Sequence, residues 1–313
     1  MTREILVGSR DSALALWQTE WVVNRLRELH PGRKFRIVTM KTRGDKILDV
    51  ALAKIGDRGL FTKELEQAML RGEIDLAVHS MKDLPTKLPA GLTIGAICPR
   101  ENPCDVFISE RYDSIDALPP GARVGTSSLR RCAQLLHYRP NLQLVPLRGN
   151  LNTRLRKLRE QNLDGIILAA AGVIRLGWQN LIKQYLPDSL FLPAVGQGSI
   201  GVEIREGDKE IAELVAPLND YSAEKSIKAE RAFLRYLEGG CQIPIGALGQ
   251  IEGGELRLQG VVASLDGKRL FRAEISGSPE EAEELGIDLA KRLLAMGADE
   301  VLKELRQEID ANG

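Results

Sequence analysis

Apolar residues fall in short blocks divided by polar turns, and the blocks alternate between two spacings. Ile5 to Val7 is a compact apolar run of the strand kind, followed by the polar stretch Gly8-Ser9-Arg10-Asp11-Ser12. Leu14, Trp17, Trp21 and Leu29 then recur at helical spacing. His30-Pro31-Gly32 ends that helix, because a residue before proline avoids the helical region. Phe35 to Met40 alternates as a strand, Lys63 to Arg71 reads as a helix, and Ile74 to Val78 is a further apolar strand. After Pro119-Pro120-Gly121 the same grammar resumes: a strand at Val124, a helix from Leu129, a strand at Leu142 to Val145, a helix from Asn150 and a strand at Gly165 to Ala170. Two α/β units are predicted.

Ile200 to Ile204, after Gln197-Gly198, is strand-like and offers a return to the first sheet, which makes the second unit an insertion. Beyond Asp220 a helix runs to Leu237, and Leu256 to Val262 and Arg269 to Ile275 flank an Asp266-Gly267 hairpin turn. Ser278-Pro279-Glu280-Glu281 places a cap, a proline and two acids at the start of a closing helical stretch. The expected division is residues 1–98 plus 199–217 for a discontinuous first α/β domain, 104–193 for a second, and 221–313 for a small α+β domain. No internal repeat is visible in the sequence.

Composition narrows the function classes. The 313 residues are 43% hydrophobic and 27% charged, ordinary for a folded protein. The 43 basic and 43 acidic residues cancel, so long-range attraction to nucleic acid or to an anionic membrane is not expected. No run approaches the roughly 18 apolar residues of a membrane span. With four cysteines lacking metal or disulfide spacing, and scattered His30, His79 and His137, the expectation is a cytoplasmic protein without metal.

Charge is nonetheless segregated. Residues 123–175 hold nine arginines and Lys157 against only Glu160 and Asp164. Arginine's planar fork suits carboxylate or phosphate, so an anion site is favoured over a merely solvated basic face. Gly125-Thr126-Ser127-Ser128-Leu129-Arg130-Arg131 passes from strand to helix, where N–H groups, hydroxyls and guanidinium groups converge, or where a hydroxyl simply caps a helix. It lacks the spacing of a nucleotide-binding loop. His79-Ser80-Met81-Lys82-Asp83 follows a strand, so Lys82 and Asp83 form either a substrate-binding pair with proton-handling capacity or a structural turn. Cys241, between Gly239-Gly240 and Pro244, is either an accessible thiol or an inert buried one.

Taken together, Gly8-Ser9-Arg10-Asp11-Ser12, Lys41-Thr42-Arg43-Gly44-Asp45, Val78-His79-Ser80-Met81-Lys82-Asp83, Gly125 to Arg131, Leu147-Arg148-Gly149-Asn150, Pro193 to Gly198 and Glu238-Gly239-Gly240-Cys241 resemble the porphobilinogen deaminase (hydroxymethylbilane synthase) family, in the family's order and over nearly the whole chain. The resemblance implies two periplasmic-binding-protein-like α/β domains flanking a cleft, plus a small α+β C-terminal domain. It implies a dipyrromethane cofactor joined by a thioether to Cys241, on which four porphobilinogen molecules condense with loss of ammonia before hydrolysis releases hydroxymethylbilane. Asp83 is then the catalytic carboxylate facing the pyrrole nitrogens. Arg10, Ser12, Ser80, Lys82, Thr126, Ser127, Ser128, Arg130, Arg131, Arg148, Arg154, Arg175 and Gln197 bind cofactor or substrate carboxylates, and a monomer is expected.

Lys54 to Gly59 departs from bacterial relatives, which commonly have lysine where Arg58 stands and glycine in place of Asp57. Lys54 and Arg58 are expected in a loop over the cleft. Two rival classes are a solute-binding protein, which the expected absence of an export signal opposes, and a thiol acyl transferase, which needs a histidine partner that the sequence does not supply.

Overall fold

The computed structural model describes residues 3–42, 62–239 and 243–312, with side chains to 308. Along the chain run β1 (Ile5–Arg10), α1 (Ala13–Leu29), β2 (Phe35–Met40), α2 (Lys63–Leu70), β3 (Leu76–Ser80), β4 (Leu92–Ile97), β5 (Asp105–Ile108), β6 (Arg123–Gly125) and α3 (Leu129–Tyr138). Then come β7 (Gln143–Val145), α4 (Leu151–Glu160), β8 (Gly165–Ala169), α5 (Ala170–Arg175), β9 (Ile182–Tyr185), β10 (Ile200–Arg205), α6 (Lys209–Val215) and α7 (Tyr221–Tyr236). β11 (Ile245–Glu252), β12 (Glu255–Ala263), β13 (Leu270–Gly277), α8 (Ala282–Leu293) and α9 (Asp299–Asn312) complete the described chain.

These residues divide into two compact units, one of residues 3–42, 62–101 and 198–224, the other of 102–197 with the rest of the chain from 225. The first unit holds a five-stranded sheet ordered β2-β1-β3-β10-β4. β1 is parallel to β2 and β3, while β10 runs antiparallel between β3 and β4. Its interior strands are largely apolar, as a sheet covered by helices requires, with Ser9, His79 and Glu203 as buried polar exceptions.

α1 buries a different stripe from the one that Leu14, Trp17, Trp21 and Leu29 suggest. Its buried residues are Ala15, Gln18, Thr19, Val22, Val23 and Leu26, and Leu29 is exposed. The reason is polar: Thr19 Oγ1 donates to Ser9 Oγ at 2.8 Å, and Gln18 Nε2 donates to Ser80 Oγ at 2.9 Å. Satisfied hydrogen bonds let these two side chains face the sheet.

The second unit repeats the plan. Its sheet is ordered β7-β6-β8-β5-β9, with β6 parallel to β7 and β8 and β5 antiparallel to β8 and β9. An antiparallel sheet, β11-β12-β13, belongs to the same unit, and its core is built on Phe233, Leu258, Leu289 and Leu293. Ser278 caps the turn Pro279–Glu281 ahead of α8, as its sequence predicts. The mixed α/β class with a further sheet-and-helix portion is thus the observed fold. Among the described residues no helix is long and apolar enough to cross a membrane.

Candidate functional site

Within each unit several expected site residues stand at or just after the carboxyl ends of strands, where open α/β sheets leave loops to build binding sites. Arg10 ends β1 and Ser12 caps α1, its Oγ accepting from Ala15 N–H at 3.4 Å. Ser80 ends β3, and Met81–Asp83 forms a single 3₁₀ turn whose Met81 N–H donates to Ser199 C=O at 3.0 Å. Arg10, Ser12, Gln18, Ser80 and Asp83 line a recess of about 50 Å³ in the first unit. Arg10 Nη1 stands 3.7 Å from Asp83 Oδ2, close enough for charge attraction and too long for a hydrogen bond. Lys82 and Asp83 are both half-buried.

In the second unit β6 leads through Thr126-Ser127-Ser128 into α3. Ser128 is the helix cap, accepting from Arg131 N–H, Thr126 Oγ1 accepts from Ser128 N–H at 3.2 Å, and Ser127 Oγ accepts from Leu147 N–H at 2.8 Å. As acceptors for backbone N–H groups, all three hydroxyls keep their own O–H to donate.

The arginine belt splits in two. Arg130 Nη1 donates to Asp105 Oδ2 and Arg131 Nη2 to Asp105 Oδ1, each at 2.7 Å, with the three side chains 5%, 7% and 2% exposed. Gln197 Nε2 adds a bond to Asp105 Oδ1 at 2.9 Å. Burial pushes the Asp105 carboxyl up, but the charges and hydrogen bonds of Arg130 and Arg131 outweigh it and hold the group well below the usual carboxylate range. Other arginines serve backbone carbonyls: Arg123 bonds Gln161, Arg139 bonds Ile115 and Leu118, and Arg154 bonds Gly149. Much of the basic excess therefore fastens loops.

Arg148 is different. It follows β7 and is half-buried, yet its Nη1 is enclosed with no hydrogen-bond partner among the described residues, as is Nε of Arg131. A buried guanidinium donor left unmatched calls for an acceptor, and carboxylate geometry suits it. The donor set fits a small ligand bearing several carboxylates. Arg175, after β8, is also buried. Cys241, Lys54 and Arg58 lie outside the described residues.

Asp105 is the residue that reading the sequence missed; its signal is an acid opening the apolar run Asp105-Val106-Phe107-Ile108. Two histidines are held structurally, His30 Nε2 by Leu214 C=O at 2.9 Å and His137 Nδ1 by Gly267 C=O at 2.8 Å. Among the described residues no group of His, Cys, Asp or Glu is arranged to hold a metal ion.

The first unit sets a carboxylate beside a cation at a strand end, and the second sets guanidinium and hydroxyl donors after its strands, groups of the kind that an α/β enzyme uses on anionic substrates. Two family models match: "Porphobilinogen deaminase, dipyromethane cofactor binding domain" over residues 5–213 and "Porphobilinogen deaminase, C-terminal domain" over 225–295. The chain belongs to the porphobilinogen deaminase family, enzymes of tetrapyrrole biosynthesis. It is 62% identical over 312 residues to the porphobilinogen deaminase of Carboxydothermus hydrogenoformans, covering 100% of both chains. It is 61% identical over 308 residues to that of Pelotomaculum thermopropionicum, covering 98% of this chain and 99% of the other. A solved methionine-binding protein, MetQ, is 15% identical with a TM-score of 0.43, covering 71% of this chain and 90% of that one.

Proposed function

We propose that this enzyme condenses porphobilinogen stepwise into hydroxymethylbilane on a dipyrromethane held by a thioether to Cys241, with Asp83 as its catalytic carboxylate. The observation that supports the reading most is the Arg10–Asp83 pair at 3.7 Å in a recess that also presents Ser12 and Ser80. At that distance Arg10 makes no hydrogen bond to Asp83 and leaves its oxygens open to pyrrole N–H groups. A fixed carboxylate then stabilises the positive charge that develops on a porphobilinogen unit as ammonia departs.

When bound, the dipyrromethane supplies the pyrrole carbon to which each new unit is joined. Arg131 and Arg148 offer the enclosed donors that its carboxylates match. Arg10, Lys82, Arg154 and Arg175, with the hydroxyls of Ser12, Ser80, Thr126, Ser127 and Ser128, bind the acetate and propionate groups of substrate and growing chain. Each such charge-assisted hydrogen bond is worth about 1.5–3 kcal/mol when shielded from water. Arg130 and Gln197 contribute through Asp105, keeping Arg131 in place. The three-domain division anticipated above, with residues 221–313 carrying Cys241, a monomeric state and a cytoplasmic location belong to the same proposal.

The test is porphobilinogen consumption by Asp83→Asn protein with a native circular dichroism spectrum. Loss of turnover is expected, and near-normal turnover would remove Asp83 from the chemistry.

A further inference from the structure

Directly behind the Asp83 turn lie three buried titratable side chains that the proposed chemistry leaves unused. His79 of β3 and Glu203 of β10 are 2% and 0% exposed, with His79 Nε2 at 3.0 Å from Glu203 Oε2. Their register explains the contact. His79 pairs with Gly201 and Glu203 with Ala77, so the two lie diagonally on one face of neighbouring antiparallel strands, within reach of long side chains. Glu66 of α2, 6% exposed, faces the charges of both. Burial raises its carboxyl above the usual range, and the charge of Glu203 acts in the same sense. Among the described residues neither Glu203 oxygen nor His79 Nε2 has an aligned hydrogen bond, so the two meet as a buried 3.0 Å contact.

A buried acid whose oxygens lack hydrogen bonds is unfavourable, so its retention at a strand end calls for a reason. The strand end is the one that carries the reactive turn. On the opposite face of β3, Gln18 clamps Ser80; on this face Glu203 clamps His79. Close packing continues into the turn, where a Cβ on Gly201 would stand 2.3 Å from Met81 Sδ. Among the described residues the one ion pair of Asp83 is the long contact to Arg10, so the turn, more than the side chain's own partners, sets where the carboxylate points.

We propose that His79 and Glu203 are positioning residues, whose buried contact fixes the end of β3 and so aims the Asp83 carboxylate. This rests on the reading of Asp83 given above. His79→Gln removes the imidazole that meets Glu203 at 3.0 Å, and the displaced turn lowers kcat on the order of 100-fold, the penalty of about an ångström of misplacement. KM for porphobilinogen stays within about twofold, because the arginines that bind carboxylates do not move. His79→Gln/Glu203→Gln, which places two neutral amides face to face, recovers at least about tenfold of kcat over the single variant.

The experiment measures kcat, KM and thermal unfolding for both variants and for Asp83→Asn, below the unfolding range of each. A folded His79→Gln protein with wild-type kcat overturns the proposal, and so does a double variant no faster than the single. Should His79→Gln not fold, isosteric Glu203→Gln replaces it: a fall in kcat at constant KM is expected, and unchanged kcat overturns the proposal. Near-normal turnover by Asp83→Asn defeats the reading of Asp83 and this proposal with it; those other failures, with Asp83→Asn inactive, defeat this proposal alone.

Discussion

Replacing Asp105 with Asn separates the arginines that fasten the second unit from those that bind ligand. The carboxylate receives Arg130 at 2.7 Å, Arg131 at 2.7 Å and Gln197 at 2.9 Å, and all are nearly inaccessible to water. The amide keeps the shape and removes the charge, leaving two buried guanidinium groups uncompensated. Breaking a buried ion pair from one side costs about 3–5 kcal/mol. For a unit of this size each kcal/mol lowers the melting temperature by roughly 2–4 °C, so a drop on the order of 10 °C is expected in a thermal scan. Glu274→Gln is the internal control: its pair with Arg257 is 59% and 41% exposed, and the loss there is within about 1 kcal/mol. The pH dependence has a definite sign. Because the folded state holds the Asp105 carboxyl below its usual range, its contribution is present above the unfolded value of about 4 and is lost only as pH falls through the lower folded value. The difference between wild type and variant is therefore flat from neutral pH to about pH 4.5 and shrinks in stronger acid. An Asp105→Asn protein as stable as Glu274→Gln, or a difference that fades already at pH 6, would refute the reasoning.

Gly198 has φ of +97°, and a Cβ there would stand 2.3 Å from Glu101 C=O, so Gly198→Ala is expected to lose at least about 2 kcal/mol in urea unfolding. A neutral result would mean that the backbone relaxes freely. Burial pushes the Cys132 thiol up to about 11, so folded protein at pH 7.5 should leave Cys132 unlabelled by iodoacetamide over a period that fully labels urea-unfolded chain. Labelling at the unfolded rate would contradict that burial.

Strand and helix positions were legible because apolar spacing follows backbone period. The hairpin of β12 and β13 around Asp266-Gly267, and the entry to α3 at Ser128, lie close to where the sequence predicts them. The insertion of β10 between β3 and β4 was legible only as an option, since pairing partners more than a hundred residues apart leave no local mark. The shared plan of the two five-stranded sheets left no repeat in the sequence, because apolar side chains of many kinds satisfy one topology. Asp83 and Arg148 could be singled out from motif resemblance and position after a strand. Asp105 and Glu203 could not be assigned partners, although each is an acid within an apolar strand; Arg130 and His79 reach them only once the sheets form. That is also why part of the arginine belt, read as an anion wall, turns out to hold protein carbonyls and Asp105.

The central claim is the covalent anchor at Cys241, and intact mass tests it most directly. Wild-type chain and Cys241→Ser, each expressed where porphobilinogen is available, are compared by mass spectrometry under denaturing conditions. The account predicts an increment of two linked pyrroles on the wild type alone. A wild-type chain that is unmodified, and stays so after incubation with porphobilinogen, would contradict it.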